Sequence, residues 1–360
     1  MSSAGYGAGS GSVRWPAEWE QHAATWIAWP HHAPDWPGKF ESIPWVFAEI
    51  VRALHAYERV EVLCHDERVR EQAARCLGAH GVPERGYRLY IWPTDRVWLR
   101  DSGPTGVLRG AGLAWNNWDF NAWAKYDNFA HDASVGQAVS QLTGIERREP
   151  PRPDGEGRLV LEGGCIETDG RGTMLVTEEW LLSGVQDRNP GLGRADYERV
   201  FAEELGCSRT VWLGEGCVGD DTHGHVDDIA RFVAPGLVVL AHEPDPTDEN
   251  HRRSSDNLRR LESATDAAGE PIRVVTLPFP RAVEMDGQRL PASYANFYIA
   301  NGVVLVPTFN DPSDRIALDT LARLMPSRSV VGIHAVDLVW GLGTIHCLSQ
   351  QQPVDAVPGD

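Results

Sequence analysis

The chain has 360 residues, 42% of them hydrophobic and 14 of them tryptophan, which is ample for a packed globular core and excludes a fibrous or disordered protein. A formal net charge of −18 argues against nucleic-acid binding and favours attraction of cations toward any acidic cleft. The six cysteines (Cys64, Cys76, Cys165, Cys207, Cys217, Cys347) include no Cys-x-x-Cys pair and read as reduced thiols of a cytoplasmic protein, and no apolar run has the length of a membrane span.

Residues 1–13, Gly/Ser-rich, read as a disordered leader, with 14–360 forming one unit. The alternation from Ala24 to Trp29 predicts a strand halted by Pro30. A helix follows over Ile43 to Tyr57, a strand over Val60 to Cys64, a helix over Glu67 to Ala79 and a strand over Tyr87 to Trp92. Further strands are expected at Leu159–Glu162, Met174–Thr177 and Arg209–Trp212, with a helix over Arg194–Leu205. Two more strands (Ile229–Val233, Leu237–Ala241) precede a helix over Ser254–Ala268 and a strand over Ile272–Leu277. A strand pair over Tyr298–Pro307, a helix over Asp314–Leu324 and a strand over Ser329–Ile333 complete the pattern. This repeating grammar indicates an α/β fold of several equivalent blades; a doubly wound sheet competes, but no Gly-x-Gly-x-x-Gly follows the first strand.

Five stretches could carry chemistry. In Thr94 to Pro104, alternating acids and arginines flank Trp98; either Arg100 holds one carboxylate while another faces a ligand, or the stretch is a charge-paired surface turn. Trp115 to Asn128 interleaves three tryptophans with asparagines and acids, which suits a cleft wall that packs an alkyl chain and holds a cation, or core aromatics beneath a loop. Glu162 stands at a strand end before Gly163 and Gly164. Asp220 to Asp228 packs two histidines and four aspartates into nine residues. It reads as a metal site, as a proton-transferring His225 beside a substrate-binding Asp227, or as a solvated acidic loop. Lastly, Gly341 and Gly343 free the backbone just before Cys347, whose thiol would sit at the mouth of a turn.

A thiol and an imidazole among carboxylates suit a cationic electrophile, since the acids would raise the thiol pKa and offer nothing to an oxyanion. A guanidinium is planar, permanently charged and matched bidentately by carboxylates.

At this point the residues resemble the agmatine deiminases, within the bacterial peptidylarginine-deiminase-like branch of the guanidino-group modifying enzymes. The motifs are Pro16-Ala17-Glu18-Trp19-Glu20, Ala24 to Pro30, Trp98 to Pro104, Phe120 to Trp123, Glu162-Gly163-Gly164, Gly224-His225-Val226-Asp227, Asn296 to Gly302, Ile345-His346-Cys347 and Gln350 to Pro353. The resemblance implies a five-bladed pseudo-symmetric α/β propeller (the pentein fold), 14–360 as a single deiminase catalytic domain, and catalysis with neither metal nor organic cofactor. By position, Cys347 resembles the nucleophile, His225 the general acid/base, Asp101 and Asp227 the guanidinium-binding carboxylates, and Glu162 the acid that orients His225 or contacts substrate. Trp98 and Trp123 would line the substrate slot. The bound guanidinium would lower the Cys347 thiol from a pKa of about 8.5, and a thiouronium intermediate would be hydrolysed to a ureido product.

The chain departs from the family pattern in Gly341-Leu342-Gly343-Thr344, where Gly-Gly-Gly-Asn is common, and in Asp119 and Ala124, where Gly is common. His223 and Asp228 also differ from the expected acid and amide, and Lys125 follows the altered Ala124. The expected partner is therefore a small cationic guanidino compound, with agmatine first, another guanidino compound or (peptidyl-)arginine next, and neither nucleic acid nor membrane. An amidinotransferase, a metallohydrolase using Asp220 to Asp228, a silent polyamine-binding protein and a homodimer remain open alternatives.

Overall fold

Five times along the chain two antiparallel strands are followed by a helical crossover to a parallel third strand, the connection that parallel pairing requires. The computed structural model describes residues 12–110 and 112–355. In the first unit the C-terminal strand Ser349–Pro353 runs antiparallel to His22–Ala28, and the helices Ile43–Leu54 and Glu67–Ala79 carry the chain to the parallel strands Arg59–Cys64 and Tyr87–Ile91. The second joins Thr105–Arg109 and Gly112–Asn116 to Glu146–Arg148 through the helix Val135–Thr143. In the third, Glu167–Thr168 and Thr173–Thr177 precede Arg209–Leu213. The fourth uses Ala230–Ala234, Leu237–His242, the helix Glu249–Glu262 and Arg273–Pro278. The fifth uses Tyr298–Ile299, Val303–Thr308, the helix Pro312–Leu324 and Ser329–His334.

The apolar spacing that marked the first helix is the face it buries: Ile43, Phe47, Ile50, Val51 and Leu54 pack with Trp26, Trp29 and Trp36 in the largest core cluster. The crossovers cover the sheets, so their central strands read as continuous apolar runs such as Val303 to Val306.

Several expected elements differ. The helix expected over Ser254–Ala268 is Glu249–Glu262, because the Asp248 side chain accepts from the Asn250 backbone N–H at 2.8 Å and starts it earlier. Leu159–Glu162 is extended but forms only the isolated bridge Asp119–Val160, held by Asn189, whose Oδ1 accepts from Val160 N at 3.0 Å. The helix expected over Arg194–Leu205 changes at Val200 into a π-helical turn, Phe201–Leu205, capped by Gly206 in the left-handed region. Of the expected leader, residues 1–11 lie outside the described residues, whereas Val13 pairs with Arg109. Among the described residues no helix is long and apolar enough to cross a membrane.

The helix Glu67–Ala79 begins at Asp66, whose side chain accepts from Val69 N at 2.7 Å. Asp66→Ala is expected to lower stability by about 1 kcal/mol in urea denaturation while leaving the distant thiol chemistry intact. An unchanged midpoint would remove the cap from the account of this helix.

Candidate active site

Each of the five connections between successive sheets contributes a polar group to one buried site. Asp101 stands on the helical turn Leu99–Ser102 after the first sheet. Glu162 precedes the turn Gly163–Cys165 after the second. His225 and Asp227 bracket the turn Val226–Asp228 after the third, Asn296 follows the fourth, and Cys347 follows the fifth. The His225–Asp227 segment is a tight turn, and both side chains face the same space.

His225 Nε2 lies 3.1 Å from Glu162 Oε2, and Glu162 Oε1 accepts from Arg188 Nε at 3.1 Å. The other ring nitrogen, Nδ1, is 3.8 Å from Asp101 Oδ1 and 4.0 Å from Asp227 Oδ1, and among the described residues neither it nor Asp227 Oδ1 has a hydrogen-bond partner. Asp101 is aimed by Trp123 Nε1, donating to Oδ2 at 3.0 Å, and by Gly164 N, donating to Oδ1 at 3.1 Å. Gly164 must be glycine, since a Cβ there would stand 2.5 Å from His225 Nδ1. The Cys347 thiol is 3.7 Å from Asp227 Oδ2.

Burial disfavours every charge here, and the local partners decide which survive. It drives Asp101 up to about 7, with the neighbouring Glu162 and Asp227 carboxylates adding to the effect. Burial alone would lower His225, but Asp101, Glu162 and Asp227 outweigh it and raise the imidazole to about 9. Burial works against ionised Asp227 and Glu162 too; Asp227 is nevertheless held below the carboxylate range by His346 and His225, and Glu162 by Arg188 and His225. Burial and then Asp227, Asp228 and Asp101 push the Cys347 thiol well above its usual range in the empty site.

A cavity of about 350 Å³ opens onto Cys347 and Asp101. Trp98, Trp123 and Trp340 form its apolar wall, and Asp35, Arg96 and Asp221 its polar one. Gly343 lets the loop pass Trp98, whose ring would be 2.8 Å from a Cβ there. Ala122, Trp123 and Ala124 all take left-handed backbone (φ 50, 59 and 52), which explains why glycine suits position 124 and stores strain beside Asp101.

The structure thus brings Cys347, His225, Asp101, Asp227, Glu162, Trp98 and Trp123 together. Glu162 orients His225 and is absent from the cavity wall. Arg100 does not hold a neighbouring acid; it binds Gln351 Oε1 at 2.7 Å and the remote Glu18 at 3.2 Å. The dense run from Asp220 to Asp228 does not converge on one point. Asp220 accepts from Gly224 N and His225 N, Asp221 pairs with Lys125 and the Tyr126 hydroxyl, and His223 faces Ser183. Asp227 and Asp228 do approach Cys347, all within 4.8 Å, but without the histidines on which a chelate would rest. Asp119 stays at the edge, 3.7 Å from Arg158.

Sequence reasoning missed His346, Glu18, Arg188 and Asn296. His346 lies between Asp227 Oδ2 (2.7 Å) and Glu18 Oε2 (2.8 Å). Its place beside Cys347 and that of Glu18 in the Pro16–Glu20 motif were the available signals. Nothing local marked Arg188.

Chemistry of this kind belongs to the hydrolases of the guanidino-group modifying, pentein type. The chain is a member of the Porphyromonas-type peptidyl-arginine deiminase family, whose model matches residues 14–353. It is 35% identical over 362 residues to an agmatine deiminase of Ectopseudomonas mendocina, covering 94% of this chain and 95% of that protein. Its fold is similar to the solved structure of the agmatine deiminase of Enterococcus faecalis, with a TM-score of 0.87 and 29% identity over 95% of this chain and 96% of that one. A C. jejuni agmatine deiminase shares the fold at a TM-score of 0.84 and 22% identity, over 98% and 99% of the two chains.

Glu162→Gln would strip His225 of its carboxylate and leave Arg188 buried beside a neutral amide. A loss of about 3–5 kcal/mol is expected in urea denaturation. The His225 titration midpoint, followed by NMR, should fall from about 9. A midpoint that stays there would assign the raised proton affinity to Asp101 and Asp227 alone.

Proposed function

We propose that the protein hydrolyses the guanidinium of agmatine to N-carbamoylputrescine and ammonia through a covalent Cys347 intermediate. The observation that carries this reading is the gap bounded by Asp101 Oδ1, Asp227 Oδ1 and His225 Nδ1, where two of the three atoms are buried and unpartnered. Such groups are costly until a ligand pairs with them, and a guanidinium offers N–H donors and a charge to both acids at once. The names of the Ectopseudomonas mendocina and Enterococcus faecalis relatives support agmatine as the bearer of that guanidinium.

Asp101 and Asp227 grip the cation, and its charge offsets the acids that otherwise hold Cys347 as a neutral thiol, so the thiol proton passes to solvent as the cation binds. The thiolate adds to the central carbon, forming an S–C bond. His225 gives its proton to the nitrogen that leaves as ammonia when the C–N bond breaks. Water then adds to the S-alkylthiouronium and yields a proton to His225. Collapse breaks the S–C bond, returns the electron pair to sulfur and leaves the ureido product, the hydroxyl proton leaving with the ammonia as ammonium, so one water is consumed per ammonia released. The tryptophan wall suits a methylene chain, and Asp35 and Asp221 suit a second cation beyond it. Arg96, 3.6 Å from Asp35 in the same wall, favours free arginine as the second reading, because it could receive a carboxylate. The five repeated sheets are read as blades of a pseudo-symmetric propeller forming one catalytic domain, a reading supported by the convergence of all five inter-sheet connections.

Ammonia and ureido product are to be measured from agmatine, free arginine, a blocked arginyl peptide and guanidinobutyrate. Agmatine should turn over fastest, with no turnover by Cys347→Ala. Preference for arginine would move the substrate and keep the mechanism, whereas an active Cys347→Ala variant would overturn the mechanism.

Asp101 must be ionised and His225 protonated at the start of a turnover. The plot of kcat/KM against pH should therefore rise steeply up to about 7 while Asp101 and the Cys347 thiol are both protonated, rise more gently to about 9 as the thiol alone must lose its proton, and level off above about 9 where His225 has lost its own. A profile that rises steadily through pH 10 would remove His225 as the acid.

A further inference from the structure

We propose that Asn296 is a catalytic residue that stabilises the Cys347 thiolate by donating a hydrogen bond from Nδ2 to Sγ. The inference rests on the deiminase reading for its role in turnover, but the interaction itself is a property of the empty site.

Asn296 is wholly buried in the connection between the fourth and fifth sheets, and its Nδ2 lies 3.0 Å from Cys347 Sγ. The orientation of its amide follows from the groups around the oxygen. Oδ1 accepts from the Thr344 hydroxyl at 2.6 Å and faces the backbone N–H groups of His346 at 3.1 Å and Cys347 at 3.4 Å. Those backbone groups can only donate, so the amide cannot be turned round, and the nitrogen must face the sulfur. Of its two hydrogens, one reaches Asp228 Oδ1 at 2.9 Å and the other Sγ.

The surroundings make this donor matter. Asp227, Asp228 and Asp101 are the charged groups that act most strongly on the thiol, and all three are acids. Asp228 itself is raised well above the usual carboxylate value by burial and by Asp227, Asp220 and Asp101, and it accepts from Asn296 through Oδ1. A sulfur anion accepts a stronger hydrogen bond than a thiol does, so the amide favours the ionised form. The substrate guanidinium acts on the sulfur only while it is bound. Asn296 acts throughout, both when the thiolate attacks and when it leaves as the S–C bond breaks and the electron pair returns to sulfur. No proton passes through the amide.

Thr344, one of this chain's departures from the family pattern, takes part through its hydroxyl on Oδ1. The acceptor half of Asn296 fixes the backbone before the nucleophile, and the donor half faces the nucleophile. The two can be separated by Asn296→Asp, which is isosteric, retains an acceptor for Thr344, His346 and Cys347, and puts an oxygen where Nδ2 stood.

The test is the rate of iodoacetamide labelling of Cys347 in the substrate-free full chain as a function of pH, read by mass spectrometry on the Cys347 peptide. Asn296→Asp and Asn296→Ala should both shift the labelling midpoint upward by about one pH unit or more. With the substrate that the wild type turns over, kcat should fall roughly 10²-fold in both variants while KM stays within about threefold. A purely structural clamp predicts instead that Asn296→Ala, which removes the donor without adding an acid, labels with the wild-type midpoint, and that result would overturn the proposal. As a check that needs no Asn296 variant, the Asn296 side-chain amide resonance of the wild type should move with the thiol titration. It should lose that movement in Cys347→Ala; a resonance indifferent to Cys347 would also overturn the proposal. If no guanidino compound is turned over, the deiminase reading fails, while the labelling profile still decides the role of Asn296.

Discussion

Glu18 sits where four parts of the molecule meet. Its Oε1 accepts from Arg231 Nη2 and from Ile299 N, each at 2.8 Å, while Oε2 faces His346 Nε2 at 2.8 Å and Arg100 Nη2 at 3.2 Å. Those partners come from a strand of the fourth sheet, a strand of the fifth, the loop before Cys347 and the turn that carries Asp101. Removing a buried carboxylate from water is unfavourable, and only this saturation by donors makes it stable in place. Burial opposes its charge, yet Arg231, His346 and Arg100 hold it ionised well below the carboxylate range. Through His346 the same carboxylate reaches Asp227, so the central packing of the protein and the orientation of an acid beside the Cys347 thiol are settled by one group.

Around that centre the site concentrates acids on one buried space. Asp101 and Asp227 face each other across His225, the thiol is surrounded by acids, and Ala122 to Ala124 hold strained backbone to present Trp123 to Asp101. None of this favours the empty protein. All of it favours a compact cation that cancels the repulsion and pairs with the exposed lone pairs, which is the sense in which the fold stores binding energy for use on one chemical group.

Much of this was visible in the order of residues. The strands that became sheet centres are apolar runs such as Val303 to Val306, and the first helix announced itself by the spacing from Ile43 to Leu54. Glu162 and Cys347 stood out beside glycines, where Gly164 and Gly343 permit close approaches, whereas Asp101 stood out among alternating acids and arginines and His225 and Asp227 by the density of acids and histidines. Contacts across long sequence separations were not visible. Arg100 looked paired with its neighbours and instead reaches Glu18 and Gln351. The Asp220 to Asp228 run left a chelate open as one of three readings because its residues are dense in sequence, whereas the turn geometry sends their side chains to different partners. Leu159 to Glu162 has a strand's composition but no neighbouring strand to extend it, since Asn189 occupies its polar groups instead.

The pairing of Ser349–Pro353 with His22–Ala28 brings the two ends of the described chain into one sheet, two residues after Cys347. In synthesis Cys347 therefore emerges after Asp101, Glu162, Asp227 and Asp228, and the strand that follows it can dock only when the first sheet is already waiting. Until then the acids have no sulfur among them and the sulfur has no acids. Reactive chemistry is withheld from the growing chain by the order in which its parts are made, and the closing of the first sheet marks the moment at which the protein becomes competent.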